Sequence, residues 1–167
     1  MIKISKRFWP NPAEIDVSGI SCSASNIIKI LNILNCKWIM VTVDSLTEES
    51  RTLAFIKNQK LKYFARSPSP EFMEVSVIIP HALLEPFLNI AVDEYPENLF
   101  VYSLPDAASG AICLQHSYEE LVATGRIDLF ISISLDERVL MLCMNSSLIS
   151  PRDVYTKIKT LLLHHRQ

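Results

Sequence analysis

Three glycines, Gly19, Gly110 and Gly125, are all that this 167-residue chain contains, and no two of them lie within six residues of each other. Neither a G-x-G-x-x-G turn nor a G-x-x-x-x-G-K-[ST] loop can be written from them. Both motifs need backbone that comes close to phosphate, where a larger side chain would stand in the way. G-x-S-x-G, H-E-x-x-H and the EF-hand loop are missing as well, so the sequence offers no catalytic signature, and no cofactor or metal is expected. Long apolar runs are also lacking. The longest, such as 139–144, span about five to seven residues, against the roughly 20 that a membrane-spanning helix requires.

An export signal is not written at the start either. Lys3, Lys6 and Arg7 give it a basic beginning, but Phe8-Trp9-Pro10-Asn11-Pro12 stands where a signal would carry its apolar run. The four cysteines, Cys22, Cys36, Cys113 and Cys143, form no C-x-x-C pair and no regular spacing. A chain of this size buries enough surface to fold without staples, so reduced thiols in a cytoplasmic protein are expected, with no zinc site.

Basic residues are scarce where acidic ones are plentiful. Residues 67–150 hold twelve Asp and Glu against two Lys and Arg, whereas residues 1–66 hold five against ten and residues 151–167 one against four. The formal charge of −2 therefore conceals segments of +5, −10 and +3. Like charges gathered in this way repel unless an internal or external group of opposite sign answers them, and salt screens them only beyond about 8–10 Å.

What is present reads as one soluble globular domain covering residues 1–167, with 49% hydrophobic and 20% charged residues. Helical spacing of apolar residues marks a helix over 25–34, closed by Asn35 in a left-handed conformation, and a strand over 38–44 follows. Ser45-Leu-Thr-Glu48 has the spacing of a capping box and predicts a second helix running to about Lys60. A short strand over 61–65 then leads into Arg66-Ser-Pro-Ser-Pro70, a surface loop because its prolines lack amide donors.

Alternation predicts a strand over 73–79, and helical spacing a helix over 81–91 that Pro86 should kink or restart. A strand over 99–104 follows, then a loop over 105–110 and a short strand over 111–114. Ser117-Tyr-Glu-Glu120 signals a short helix with Gly125 as its C-cap, and residues 127–135 and 139–144 read as an antiparallel hairpin. Ser150-Pro151 opens a C-terminal amphipathic helix. The expected fold is α/β or α+β, a mixed, partly antiparallel sheet with helices packed on it.

Three sets of residues could carry function. Cys113 precedes His116 by three positions, and an imidazole can lower a thiol's pKa and take its proton, which would give a small cytosolic enzyme. Paired carboxylates offer a second enzymatic route, through acid–base chemistry or Mg²⁺. Lys57, Lys60, Lys62 and Arg66 lie beside Tyr63 and Phe64 and could mix phosphate contacts with stacking in a nucleic-acid-binding module. The overall negative charge speaks against strong phosphate affinity. His164 and His165 suit the C-terminal end of a helix better than a metal.

The carboxylates Glu71, Glu74, Asp93, Glu94, Glu97, Glu119, Glu120, Asp136 and Glu137 are the third set, candidates for an acidic partner-binding face. Each pair also has a local explanation in a turn or in the first turn of a helix. The expected function is a non-enzymatic protein-binding domain whose acidic surface receives a basic protein. In size and charge distribution, though in no motif, it is similar to the immunity and antitoxin proteins that neutralise cationic nuclease toxins.

Overall fold

Alternation of apolar side chains along the strands sorts the chain into two layers of packing about a single sheet. The computed structural model describes residues 12–17, 19–67, 69–94, 96–124, 126–134 and 139–166. Among these, the strands are β1 (Pro12–Asp16), β2 (Trp38–Leu46), β3 (Tyr63–Arg66), β4 (Met73–Ile79), β5 (Asn98–Leu104), β6 (Leu129–Ser134) and β7 (Val139–Asn145). The helices are α1 (Ala24–Ile33), α2 (Arg51–Asn58), α3 (His81–Asp93), α4 (Ala107–Cys113), α5 (Tyr118–Ala123) and α6 (Pro151–Arg166). The strands join in the order β1-β7-β6-β5-β2-β4-β3, and every pairing is antiparallel. The fold is α+β, with the C-terminal helix in place.

One face of the sheet carries the main core. Ile39, Val41 and Val43 of β2 and Val75, Val77 and Ile79 of β4 pack with α1, α2, α3 and α6 through Ile27, Ile56, Phe87 and Ile158, all fully buried. The other face has a smaller core, in which Met40, Phe100, Tyr102, Phe130 and Cys143 lie beneath Cys113, Leu114, Leu121 and Val122. Its three rings sit 5.8–6.1 Å apart in tilted and edge-on arrangements. β2 lies inside the sheet with helices on both sides, which is why its sequence is apolar in both registers.

Local chemistry sets most of the element ends. Asn35 at φ 57° and Lys60 at φ 56° close α1 and α2. In each case the next residue donates back into the last turn, Cys36 to Leu31 and Leu61 to Ile56, forming a Schellman end. The Ser117–Glu120 capping box forms as its spacing predicts, and Ser150 Oγ accepts from the Asp153 amide at the start of α6.

Several elements differ from the sequence-based expectation. Ser45 does not begin α2. Pairing with β4 continues to Leu46↔Met73 across an irregularity, which buries Leu46, and Ser50 is the N-cap instead. Residues 107–113 form a helix rather than a loop and strand, because Asp106 Oδ1 accepts from Ser109 N at 2.7 Å and Gly110 lets the helix settle on Ile78. Pro86 lies within α3, at an exposed position where a carbonyl left without its donor can turn to water. β1 was not anticipated; it is an edge strand that begins with proline, one of the few places a sheet accepts that residue. The tip of the β6–β7 hairpin, with Asp136 and Glu137, lies outside the described residues.

Candidate functional site

Antiparallel pairing gives the sheet two ends of opposite charge. At one end β2 and β3 finish while β4 and β5 begin, so residues 44–51, 66–67, 69–74, 93–94 and 96–98 converge. These segments hold eight carboxylates against two arginines. Glu71, Glu74, Asp93, Glu94 and Glu97 of the predicted acidic face meet here, joined by Asp44, Glu48 and Glu49.

The acidic groups at this end are not equivalent. Glu94 is engaged internally: its carboxylate accepts from Ser50 Oγ at 2.8 Å, Arg51 N at 2.9 Å and Thr52 N at 2.7 Å, and also from the Thr52 hydroxyl. Burial pushes its carboxyl up, but the Thr52, Ser50 and backbone hydrogen bonds together outweigh this, and the net shift is downward. Asp93 pairs with Arg51 at the exposed surface. Glu74 stands half-buried on β4, where burial raises its pKa, Arg66 opposes the rise and Asp44 adds to it. Asp44 itself accepts from Asn98 N at 2.8 Å and Asn98 Nδ2 at 2.9 Å. Glu48, Glu49, Glu71 and Glu97 are exposed. Beside them lies a cavity of about 180 Å³ lined by Ser45, Leu46, Thr47, Ser50, Glu94 and Pro96.

Glu119 and Glu120 belong to a different place, the first turn of α5 on the smaller-core face. Glu120 completes the capping box and accepts from His116 Nδ1 at 3.0 Å. The His116 hydrogen bond, followed by those from the Ser117 amide and hydroxyl, lowers its pKa to about 2. His116 is thus tied to the cap of α5. Cys113 is fully buried, and its thiol is pushed up by burial, with Arg126 opposing and Asp106 adding. Neither feature favours a reactive thiolate.

The opposite end of the sheet is basic. Lys37, Lys60, Lys62 and His81 surround a cavity of about 470 Å³ whose remaining walls are Trp38, Ile39, Leu61, Ile78, Ile79 and Pro80. His81 Nε2 donates to the Cys36 carbonyl oxygen at 3.0 Å, holding the start of α3 against the end of α1. Of the predicted nucleic-acid cluster, Lys60 and Lys62 line this cavity. Arg66 lies at the other end of β3 with its guanidinium 5.4 Å from the Phe64 ring centroid.

Sequence reasoning missed Asp44, Glu48 and Glu49 because they precede the acidic segment and join it only through the β2–β4 pairing. It missed Lys37 and His81 because the cavity draws on residues far apart in the chain. Among the described residues, no group of three or more His, Cys, Asp or Glu could hold a metal ion, and no helix is long and apolar enough to cross a membrane. Comparison of the chain with protein-family models, curated proteins and solved structures finds no match.

Proposed function

We propose that the protein is a non-enzymatic binding protein whose acidic end receives a basic protein partner. The observation that carries this reading is the convergence of residues 44–51, 66–67, 69–74, 93–94 and 96–98, eight carboxylates against two arginines, on one end of the sheet. Among the described residues, the ion pairs there reduce to Asp93 with Arg51, leaving the field of Glu48, Glu49, Glu71 and Glu97 directed outward. Such a field speeds encounter with a cationic surface and penalises an acidic one, although each rim charge adds little affinity. The adjoining cavity of about 180 Å³ has the scale of one inserted side chain, and a lysine or arginine of the partner suits its polar walls.

The setting proposed is cytoplasmic, where the buried thiols of Cys36, Cys113 and Cys143 would stay reduced. A cationic nuclease toxin is one class of partner that this electrostatic reading accommodates.

The test is a comparison of capture from host extract by the native protein, by E48Q/E49Q/E71Q/E97Q and by E119Q. The expected result is a basic polypeptide retained by the native protein and by E119Q, lost with the fourfold variant, and associating more slowly as salt rises. Retention that ignores the fourfold neutralisation would overturn the reading.

A further inference from the structure

Independently of the acidic end, we infer that the cavity at the basic end is a binding site for a small apolar carboxylate, aromatic or aliphatic. Its size falls in the range of small-molecule sites, about 300–1,000 Å³, and its floor is apolar: the partly exposed Leu61 and Ile78, backed by the buried Ile39 and Ile79, with Pro80 at one side. Trp38, 45% exposed, supplies a broad wall that the rest of the protein leaves uncovered. The lining cations are Lys37, Lys60 and Lys62, and no carboxylate stands among the lining residues. α3 starts at the cavity from Pro80, which offers no capping side chain, so the positive end of its dipole also goes unanswered by a protein acid.

An apolar body would remove the floor and the Trp38 ring from water, while its acid group stayed at the rim among the ammonium groups. Each lysine would then act where its stem can lie on the ligand and its charge remain hydrated. The walls are set by packing from behind. Ile78 is held from the α4 side, where a Cβ on Gly110 would come within 2.6 Å of its Cδ1, and His81 is fixed by its bond to the Cys36 carbonyl.

A nucleic-acid strand fits less well. The one lining side chain that could both donate to and accept from a base edge, His81, already donates to Cys36. The cation that would extend the track along β3, Arg66, lies over Phe64 and opposite Glu74.

The experiment uses the full chain carrying W9F, so that Trp38 is the sole tryptophan. It compares 2-naphthoate with the neutral 2-naphthalenemethanol by Trp38 emission and calorimetry, and adds a competition arm with an oligothymidylate. Naphthoate should bind about tenfold more tightly than the alcohol, a factor worth about 1.4 kcal/mol. K37Q/K60Q/K62Q should erase that difference while leaving the alcohol's affinity unchanged. Because the three lysines are surface groups, their replacement tests the site without disturbing the core, and circular dichroism checks that the variant is folded. Equal binding of the two probes, no binding of either, or a charge preference that survives the triple replacement would overturn the proposal. So would tight oligothymidylate binding that naphthoate does not displace, since that would assign the lysines to a nucleic-acid surface.

Discussion

Glu94, just past the end of α3, receives two hydrogen bonds from Thr52 at the start of α2, one from its backbone amide at 2.7 Å and one from its hydroxyl. Thr52 is fully buried, so these donors depend on this carboxylate for satisfaction. Two helices far apart in sequence are thereby joined through one side chain, at the acidic end that the functional reading uses.

Replacing Glu94 with Ala should accordingly destabilise the fold by about 2 kcal/mol, the range for buried donors left unpaired. Glu94→Gln should also cost stability, because its amide nitrogen would meet the Arg51 N–H where an acceptor is needed. The Glu94 pKa is lowered on folding, so its contribution is present above the ordinary value of 4.5 and is lost as pH falls through the lower folded value. Urea denaturation across that range should show the decline in the native protein and a flatter profile for Glu94→Gln.

Gly110 tests the seat of α4 on the sheet. Alanine there would gain up to about 1 kcal/mol of helix propensity, yet its Cβ would stand 2.6 Å from Ile78 Cδ1, and overpacking of that kind costs about 1–3 kcal/mol. Gly110→Ala should therefore lower the melting temperature. Adding Ile78→Val, which removes the offending methyl, should restore it, and failure of that rescue would refute the contact as the cause.

Much of the fold was legible because local rules and tertiary packing agreed. Ser117 with Glu120 specified α5, Asn35 closed α1, and the alternation of Leu129, Ile131 and Ile133 matched the face of β6 that meets the main core. Reading failed where long-range pairing prevailed over a local signal. The Ser45–Glu48 spacing is a valid capping box, but the Leu46↔Met73 pair with β4, beyond an irregularity that includes Ser45, keeps this segment in β2. Residues 105–114 looked like loop and strand because Gly110 weakens any helical pattern, whereas its missing side chain is what allows α4 to approach Ile78. The charged ends are a property of strand order, which composition does not encode.

Thiol chemistry separates a binding protein from a cysteine enzyme. Cys36, Cys113 and Cys143 are buried, whereas Cys22 is partly accessible. Burial, with Glu14 adding, pushes the Cys143 thiol up to about 12, and burial raises Cys36 as well, against a hydrogen bond from Ser103 and with help from Asp128. Iodoacetamide at neutral pH should label Cys22 first and the other three only on unfolding, as followed by mass spectrometry. Rapid labelling of Cys113 in the folded protein would revive the enzymatic reading.

The His116–Glu120 pair predicts a distinct titration. With its pKa lowered to about 2, the Glu120 carboxyl should stay ionised well below the range of an ordinary glutamate. His116→Ala removes the largest of its stabilising contacts and should move the midpoint upward. Carboxyl-carbon NMR resolves this directly, and an unchanged midpoint would show that the Ser117 cap alone sets the value.

Thr42 and Ser76 face each other across β2 and β4, and their hydroxyls share a buried hydrogen bond at 2.8 Å. Within this apolar setting each hydroxyl is the other's answer. Ser76→Ala strands the Thr42 hydroxyl, and Thr42→Val strands that of Ser76, so either replacement should cost about 1–2 kcal/mol. The double variant removes both polar groups at once while nearly preserving shape, and should cost markedly less than the two single changes together. A double-mutant cycle by urea denaturation should then give a coupling of about 1 kcal/mol. Simple additivity would mean that water, and not the partner hydroxyl, satisfies each group.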